Sequence, residues 1–186
     1  MAAHQKCVQG NEKIMYYLAQ MVRYPYDFKQ LIYSSQLVQA DCIRSNVEHM
    51  RRARGRCMGS AYWQVNDSNP VISWSSIDYF GRWKGLHYYA KRFYAPCLIS
   101  CDDTHRKKPV LNISNERMTA FEGVVKWTLR NNKAEILQSG EKSVSVPALT
   151  AQNVLTIHLS DELKNRTDPR EKYLEYSIME NGKVLS

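Results

Sequence analysis

The chain has 186 residues, 44% of them hydrophobic, and its 26 Lys or Arg against 18 Asp or Glu give a formal charge of +8. That length supports one or two domains with a real core, and the ordinary apolar content excludes a disordered chain. No apolar run reaches the ~18 residues of a membrane span, and the opening MAAHQKCVQGNEK has no apolar signal core.

In chain order, Ile14, Tyr17, Leu18 and Met21 recur at helical spacing and predict a helix over Glu12 to Met21. Tyr24-Pro25 breaks it. Asp27 is the candidate N-cap of a second helix, Phe28 to Arg54, with an expected inward face of Phe28, Leu31, Ile32, Ser35, Val38, Cys42 and Val47. Gln36 and Gln39 lie on or beside that face and are expected to touch neighbouring loops. Gly55 is the candidate C-cap.

This helix ends in Arg51, Arg52, Arg54 and Arg56, where cations complement the helix dipole. Residues 1–96 hold 13 Lys or Arg against 6 Asp or Glu, whereas residues 97–186 hold 13 against 12. The arginine run accounts for much of that asymmetry. A solvated helix end or a domain contact is the reading preferred over a phosphate-binding patch.

Met58 to Val65 reads as a short buried strand, because its small and apolar residues suit a central parallel strand covered on both faces. A polar and aromatic loop follows, Asn66 to Gly81, then a helix from about Arg82 to Tyr94 that Pro96 stops. Strand, loop and helix in this order make a βα unit of a parallel barrel, where chemistry gathers at the C-terminal ends of strands. Trp63, Asn66 and Asp67 stand at that end.

After Pro96 the pattern changes to apolar–polar alternation with frequent turn signals. Expected strands are Cys97–Cys101, Val110–Asn115, Phe121–Arg130, Ala134–Gln138, Lys142–Val146, Asn153–Leu159 and Tyr173–Glu180. Asn131-Asn132, Ser139-Gly140 and Asn181-Gly182 are the expected turns. Val125, Trp127 and Leu129 alternate with polar neighbours, so one face of their strand is buried. Val184-Leu185-Ser186 begins the return of a hairpin. Seven short strands in about 90 residues form an immunoglobulin-like sandwich pattern. The expected fold is therefore α/β plus all-β, with a βα barrel unit inside residues 1–96 and a β-sandwich over residues 97–186.

Five scattered cysteines, Cys7, Cys42, Cys57, Cys97 and Cys101, read as reduced thiols of a cytoplasmic protein. Cys97 and Cys101 lack the second pair that a zinc site needs, so no metal and no cofactor is expected. Sequons at Asn66, Asn112 and Asn165 read as chance without a secretory signal.

Trp63 suits a sugar platform: the C–H face of a pyranose stacks on an indole, and Asn66 and Asp67 can meet its hydroxyls. Trp74 is the second candidate contact, whereas Trp83 and Trp127 read as core. A retaining glycosidase needs two carboxyl groups ~5 Å apart, and Asp67 and Asp78 are the only acids in the aromatic stretch. Ser73, Ser75 and Ser76 lack a nucleophile-elbow frame. No convincing catalytic set emerges from these residues.

The segments GSAYWQVND and SWSSIDYFGRWKGLHYYAKRFYAP resemble the end of the catalytic barrel in β-mannosidases of glycoside hydrolase family 2. The segments HQK, YSSQLVQAD and RRARGRCMGS are similar to those preceding it. VLNISNE, VPAL and YLEYSIMENGKV resemble the sandwich domain that follows. The resemblance implies a retaining hydrolase of terminal β-linked mannose, working with two glutamates from earlier barrel strands. The Asn-Glu pairs here, Asn11-Glu12 and Asn115-Glu116, lie outside such a strand context. The resemblance thus implies a fragment, inactive alone, in which residues 1–96 are the C-terminal portion of a (β/α)8 TIM barrel and residues 97–186 the immunoglobulin-like sandwich after it. Its expected partners are a β-mannoside or oligosaccharide once the barrel is completed, and the missing N-terminal part of the enzyme; neither nucleic acid nor membrane is expected. The resemblance assigns substrate contact to Trp63, Asn66, Asp67 and Trp74, and no catalytic residue. The alternative reading is a non-enzymatic carbohydrate-binding or interaction module.

Overall fold

A computed structural model describes residues 2–159 and 171–186 of the chain. They form two compact units, one running up to Val47 and resuming over Gly59–Phe93, the other comprising Glu48–Met58 and Tyr94–Ser186. Strand outweighs helix, and none of the described helices is long and apolar enough to cross a membrane.

The first unit holds helices α1 (Gly10–Met21) and α3 (Gly85–Phe93), and most of α2 (Phe28–Arg52). Asp27 caps α2: its Oδ1 accepts the Gln30 N–H at 2.7 Å, while Gln30 Oε1 accepts the Tyr26 N–H at 3.0 Å. The first bond satisfies an amide that the first turn leaves without a helical partner, and the second holds the residue just before the cap. The buried face of α2 differs from the expected one. Phe28, Ile32 and Cys42 are exposed, and Ala40, Ile43 and Val47 pack with Leu86, Ala90 and Phe93 of α3. The reason is the close approach of α3, where a Cβ at Gly85 would stand 3.3 Å from the Gln36 carbonyl oxygen. The inward face of α2 turns toward that crossing.

The strand expected over Met58–Val65 is not formed. The segment pairs in no ladder, and Met58 and Val65 are 69% and 55% exposed. A parallel strand satisfies its backbone groups only against neighbouring strands, and the described residues of this unit contain none. Instead the segment is pinned locally. Val65 O accepts the amides of Ser76 and Ile77 at 3.1 and 2.8 Å, and Gln64 O accepts that of Ser76 at 3.0 Å.

The second unit is a β-sandwich. One sheet has the order β1–β2–β5, from β1 (Cys97–Asp102), β2 (Val110–Asn115) and β5 (Thr150–Thr156). The other has the order β4–β3–β6–β7, from β3 (Phe121–Asn131), β4 (Ile136–Val146), β6 (Lys172–Glu180) and β7 (Lys183–Val184). All pairings are antiparallel. Ile99, Leu111, Ile113, Phe121, Val125, Leu129, Val146 and Ile178 lie in one buried cluster, as the alternation of β3 predicts. The Asn181-Gly182 turn has φ of 51° and 77°, the paired left-handed conformation that suits a two-residue hairpin.

Ser139-Gly140 is not a turn, and the two strands expected around it are one. Gly140 stands opposite Trp127, and a Cβ there would come within 2.8 Å of the indole Nε1. The glycine makes room for a ring rather than for a bend. Another expectation resolves at the end of α2, which groups with the sandwich. Arg51 is buried with its Nε 3.4 Å from Glu116 Oε1, and Arg54 donates from Nε to the Leu149 carbonyl at 2.7 Å. These two arginines of the run are engaged inside their own unit. Asn112 is buried and its Nδ2 donates to Asn153 Oδ1 at 2.9 Å, so that sequon is inaccessible. The Asn165 sequon lies outside the described residues.

Candidate functional site

Residues 62–84 of the first unit carry the candidate site. Their order comes from polar contacts, since no ladder spans them. Isolated bridges join Asn66 to Ile77 and Ile77 to Trp83, folding the segment back on itself twice. Gln39 of α2 donates from Nε2 to the Trp74 carbonyl at 2.9 Å, and Gln36 Oε1 accepts the Gly85 N–H at the same distance. Both helix glutamines therefore bind neighbouring backbone. The Trp63–Gln64 peptide bond is cis.

At the centre sits the buried carboxylate of Asp67. Its Oδ1 accepts Ser73 Oγ–H at 2.6 Å and lies 3.4 Å from Gln64 Nε2. Oδ2 accepts Ser75 Oγ–H at 2.6 Å and the Lys84 ammonium at 3.1 Å. Lys84 Nζ also reaches Ser75 Oγ at 2.6 Å and Ser73 Oγ at 3.3 Å. Burial alone would raise the Asp67 pKa. The hydrogen bonds from Ser73, Ser75 and Lys84, with the Lys84 charge, outweigh it and hold the carboxyl below the ordinary carboxylate range.

A second polar cluster lies beside the first. Ser76 Oγ is 2.9 Å from Tyr62 OH, 3.0 Å from His87 Nδ1 and 3.0 Å from the Val65 carbonyl oxygen. Asp78 serves its own turn: Oδ1 accepts the Phe80 and Arg82 amides, each at 2.9 Å, and Oδ2 accepts Arg82 Nε at 2.6 Å. Burial raises its pKa, and these bonds more than offset that, so it too lies below the ordinary range.

Around this polar centre the large aromatics face outward. Trp63 is 74% exposed and Trp74 is 57% exposed. Trp83, expected in the core, is 46% exposed and packs only locally, its ring 4.3 Å from that of His87 and 5.2 Å from that of Tyr88. Trp127 is half-buried against the sandwich core. Asn66 is exposed, with one long contact of 3.5 Å from Nδ2 to the Asp67 carbonyl. The four candidate residues thus fall on one loop system, with both indoles and the Asn66 amide outward and the Asp67 carboxylate inward. Lys84, Ser73, Ser75 and Gln64 were absent from the expected set. The available signal was Asp67 itself, one of two acids among these aromatics and in need of a counter-charge, with Lys84 the first lysine after it.

The described residues hold no group of His, Cys, Asp or Glu suited to a metal ion. Chemically, the arrangement offers flat apolar surfaces beside a few polar donors.

Comparison with known proteins bears on this surface. Residues 108–186 match the Mannosidase Ig/CBM-like domain family. Goat β-mannosidase is 37% identical over 107 residues, which is 50% of this chain and 12% of the goat protein. β-Mannosidase A of Aspergillus fumigatus is 29% identical over 175 residues, 85% of this chain and 18% of the fungal protein. The crystal structure of β-D-mannosidase from Dictyoglomus thermophilum superposes with a TM-score of 0.90 at 25% identity, covering 100% of this chain and 22% of that one. The chain resembles part of a β-mannosidase-like protein of glycoside hydrolase family 2. It spans between about an eighth and a quarter of the length of these relatives. Its second unit is a sandwich of the kind found in such enzymes.

Proposed function

We propose that the chain supplies a sugar platform to a retaining glycoside hydrolase acting on terminal β-linked mannose. Trp63 is the stacking surface, Trp74 lines the mouth of the site, Asn66 offers its amide to a hydroxyl, and Asp67 orders the loop. In this reading the first unit belongs to a (β/α)8 barrel, in which the unpaired Met58–Val65 segment would find neighbouring strands. One observation carries the proposal: Trp63 is three-quarters exposed on a loop held by the hydrogen bonds of the buried Asp67 carboxylate. An indole presented in that way is available to stack on a ligand.

The catalytic carboxyl pair is assigned to residues other than those of this loop. Asp67 is engaged by Lys84, Ser73 and Ser75, and Asp78 by Arg82 and two amides. Neither is free to attack an anomeric carbon or to protonate a leaving oxygen. The purified chain is therefore expected to leave an aryl β-mannoside intact. Turnover by a clean sample, lost on Trp63→Ala, would overturn that assignment. The family description of residues 108–186 as CBM-like favours a second reading, in which the sandwich itself binds sugar. A glycoside that perturbs the Trp127 signal and leaves Trp63 untouched would select it.

A further inference from the structure

We infer that Lys84 is a positioning residue for the two exposed tryptophans, fixing through Asp67, Ser73 and Ser75 the segments that present Trp63 and Trp74. The inference rests on the reading of those indoles as sugar contacts given above.

The bonding count supports it. A carboxylate offers about four acceptor sites, and an ammonium offers three donors. Gln64, Ser73, Ser75 and Lys84 take the four sites of Asp67. Asp67, Ser75 and Ser73 take the three donors of Lys84. Asp67 therefore has no acceptor left for a sugar hydroxyl, and it acts on a ligand only through what it holds. What it holds is specific. Gln64 adjoins Trp63 in the chain, and Ser73 and Ser75 flank Trp74 on either side. The Ser75 amide also donates to Ser73 Oγ at 3.1 Å, which closes the short arc around Trp74. Lys84 enters from one residue before α3, so the cluster also ties both segments to a helix. Direction is the reason for an ionic cluster here. An apolar cluster of similar volume holds parts together as well as a buried ion pair, but it sets no bond angles. Hydrogen bonds of 2.6 Å from two hydroxyls to one carboxylate fix both backbone segments in orientation as well as in distance.

The test is nuclear magnetic resonance of the intact chain with labelled tryptophan, the indole signals being assigned by single Trp→Phe variants. Lys84→Met is expected to shift or broaden the Trp63 and Trp74 indole signals and to leave Trp127, in the other unit, in place. Lys84→Arg, which keeps a cation with several donors, is expected to restore both. Unmoved Trp63 and Trp74 signals in Lys84→Met would overturn the inference. Should Lys84→Met collapse the first unit, Ser73→Ala keeps both charges and gives the same readout: the Trp74 signal must move, and a fixed one overturns the inference. Titration with methyl β-D-mannopyranoside separates this inference from the sugar reading. If the glycoside shifts wild-type Trp63 and Lys84→Met weakens that binding about tenfold, both stand. If the glycoside leaves wild-type Trp63 unmoved while Lys84→Met still displaces both indoles, positioning stands and the sugar reading fails.

Discussion

The two units of the chain treat apolar side chains in opposite ways. In the sandwich, aliphatic and aromatic residues of both sheets meet in one buried cluster, and Phe121, Val125, Leu111 and Ile113 have no exposed surface at all. In the first unit the cluster is five residues, Ala40, Val47, Leu86, Ala90 and Phe93, while Trp63 and Trp74 face outward. There the centre of the loop is polar: the buried Asp67 carboxylate and Ser75 hydroxyl, with the partly buried Lys84 ammonium and Ser73 hydroxyl. Exposed apolar surface forgoes about 25 cal/mol per Å² of burial free energy. The difference teaches that the sandwich buries its apolar side chains within itself, whereas the first unit leaves many of its own exposed, Trp63 and Trp74 among them.

The largest expected effect tests the self-sufficiency of the sandwich. Phe121→Ala removes a ring packed between the sheets and should cost about 3–5 kcal/mol. Denaturant unfolding followed through Trp127 measures it. A loss under about 1 kcal/mol would mean that the two sheets pack less tightly than this cluster requires.

Next comes the polar centre of the first unit, which acid should loosen. Burial raises the Asp67 pKa, but its hydrogen bonds and Lys84 bring it below that of an unfolded aspartate, about 3.9. A depressed folded pKa means that the stabilisation is complete above that unfolded value and is lost as pH falls through the folded one. The protection of the Ser76, Ile77 and Lys84 amides, which close this loop, against hydrogen exchange, taken relative to the intrinsic rate at each pH, should therefore fall on acidification below about pH 4. Asp67→Ala imposes the same loss at neutral pH by leaving the partly buried Lys84 without its counter-charge, at about 1–3 kcal/mol. Equal exchange in wild type and variant would mean that the cluster contributes nothing to loop order.

Most of the sandwich was legible in the sequence because its signals are local. The alternation of Val125, Trp127 and Leu129 is complete within one strand, and Asn181-Gly182 supplies the backbone that its turn needs. Ser139-Gly140 misled because a glycine beside a serine has the same appearance in a turn as beneath a ring. Only the register, with Trp127 opposite Gly140, separates the two. In the first unit the decisive contacts join distant positions. Lys84 lies seventeen residues from its carboxylate, and the buried face of α2 is chosen by where Gly85 meets Gln36. Helical periodicity located α2 to within two residues at its end and placed Val38 and Val47 inward correctly, but not Phe28, Ile32 and Cys42. The aromatic stretch could be recognised as a site from its residue types. Which side chains turn outward and which inward depends on the polar cluster.

The smallest expected effect sharpens the contrast most. Trp63 is exposed, so Trp63→Ala should change stability by no more than about 0.5 kcal/mol. Removing the largest side chain in the alphabet at so little cost is the behaviour of a surface kept for something else. Thermal unfolding of wild type and variant, with glycoside titration on the same samples, provides the measurement. Unchanged stability with lost binding would assign the indole to ligand contact. A stability loss of about 2 kcal/mol would instead mean that the ring is packed in solution as it would be in a core. The first unit would then handle its apolar residues as the sandwich does, and the platform reading would lose the observation that carries it.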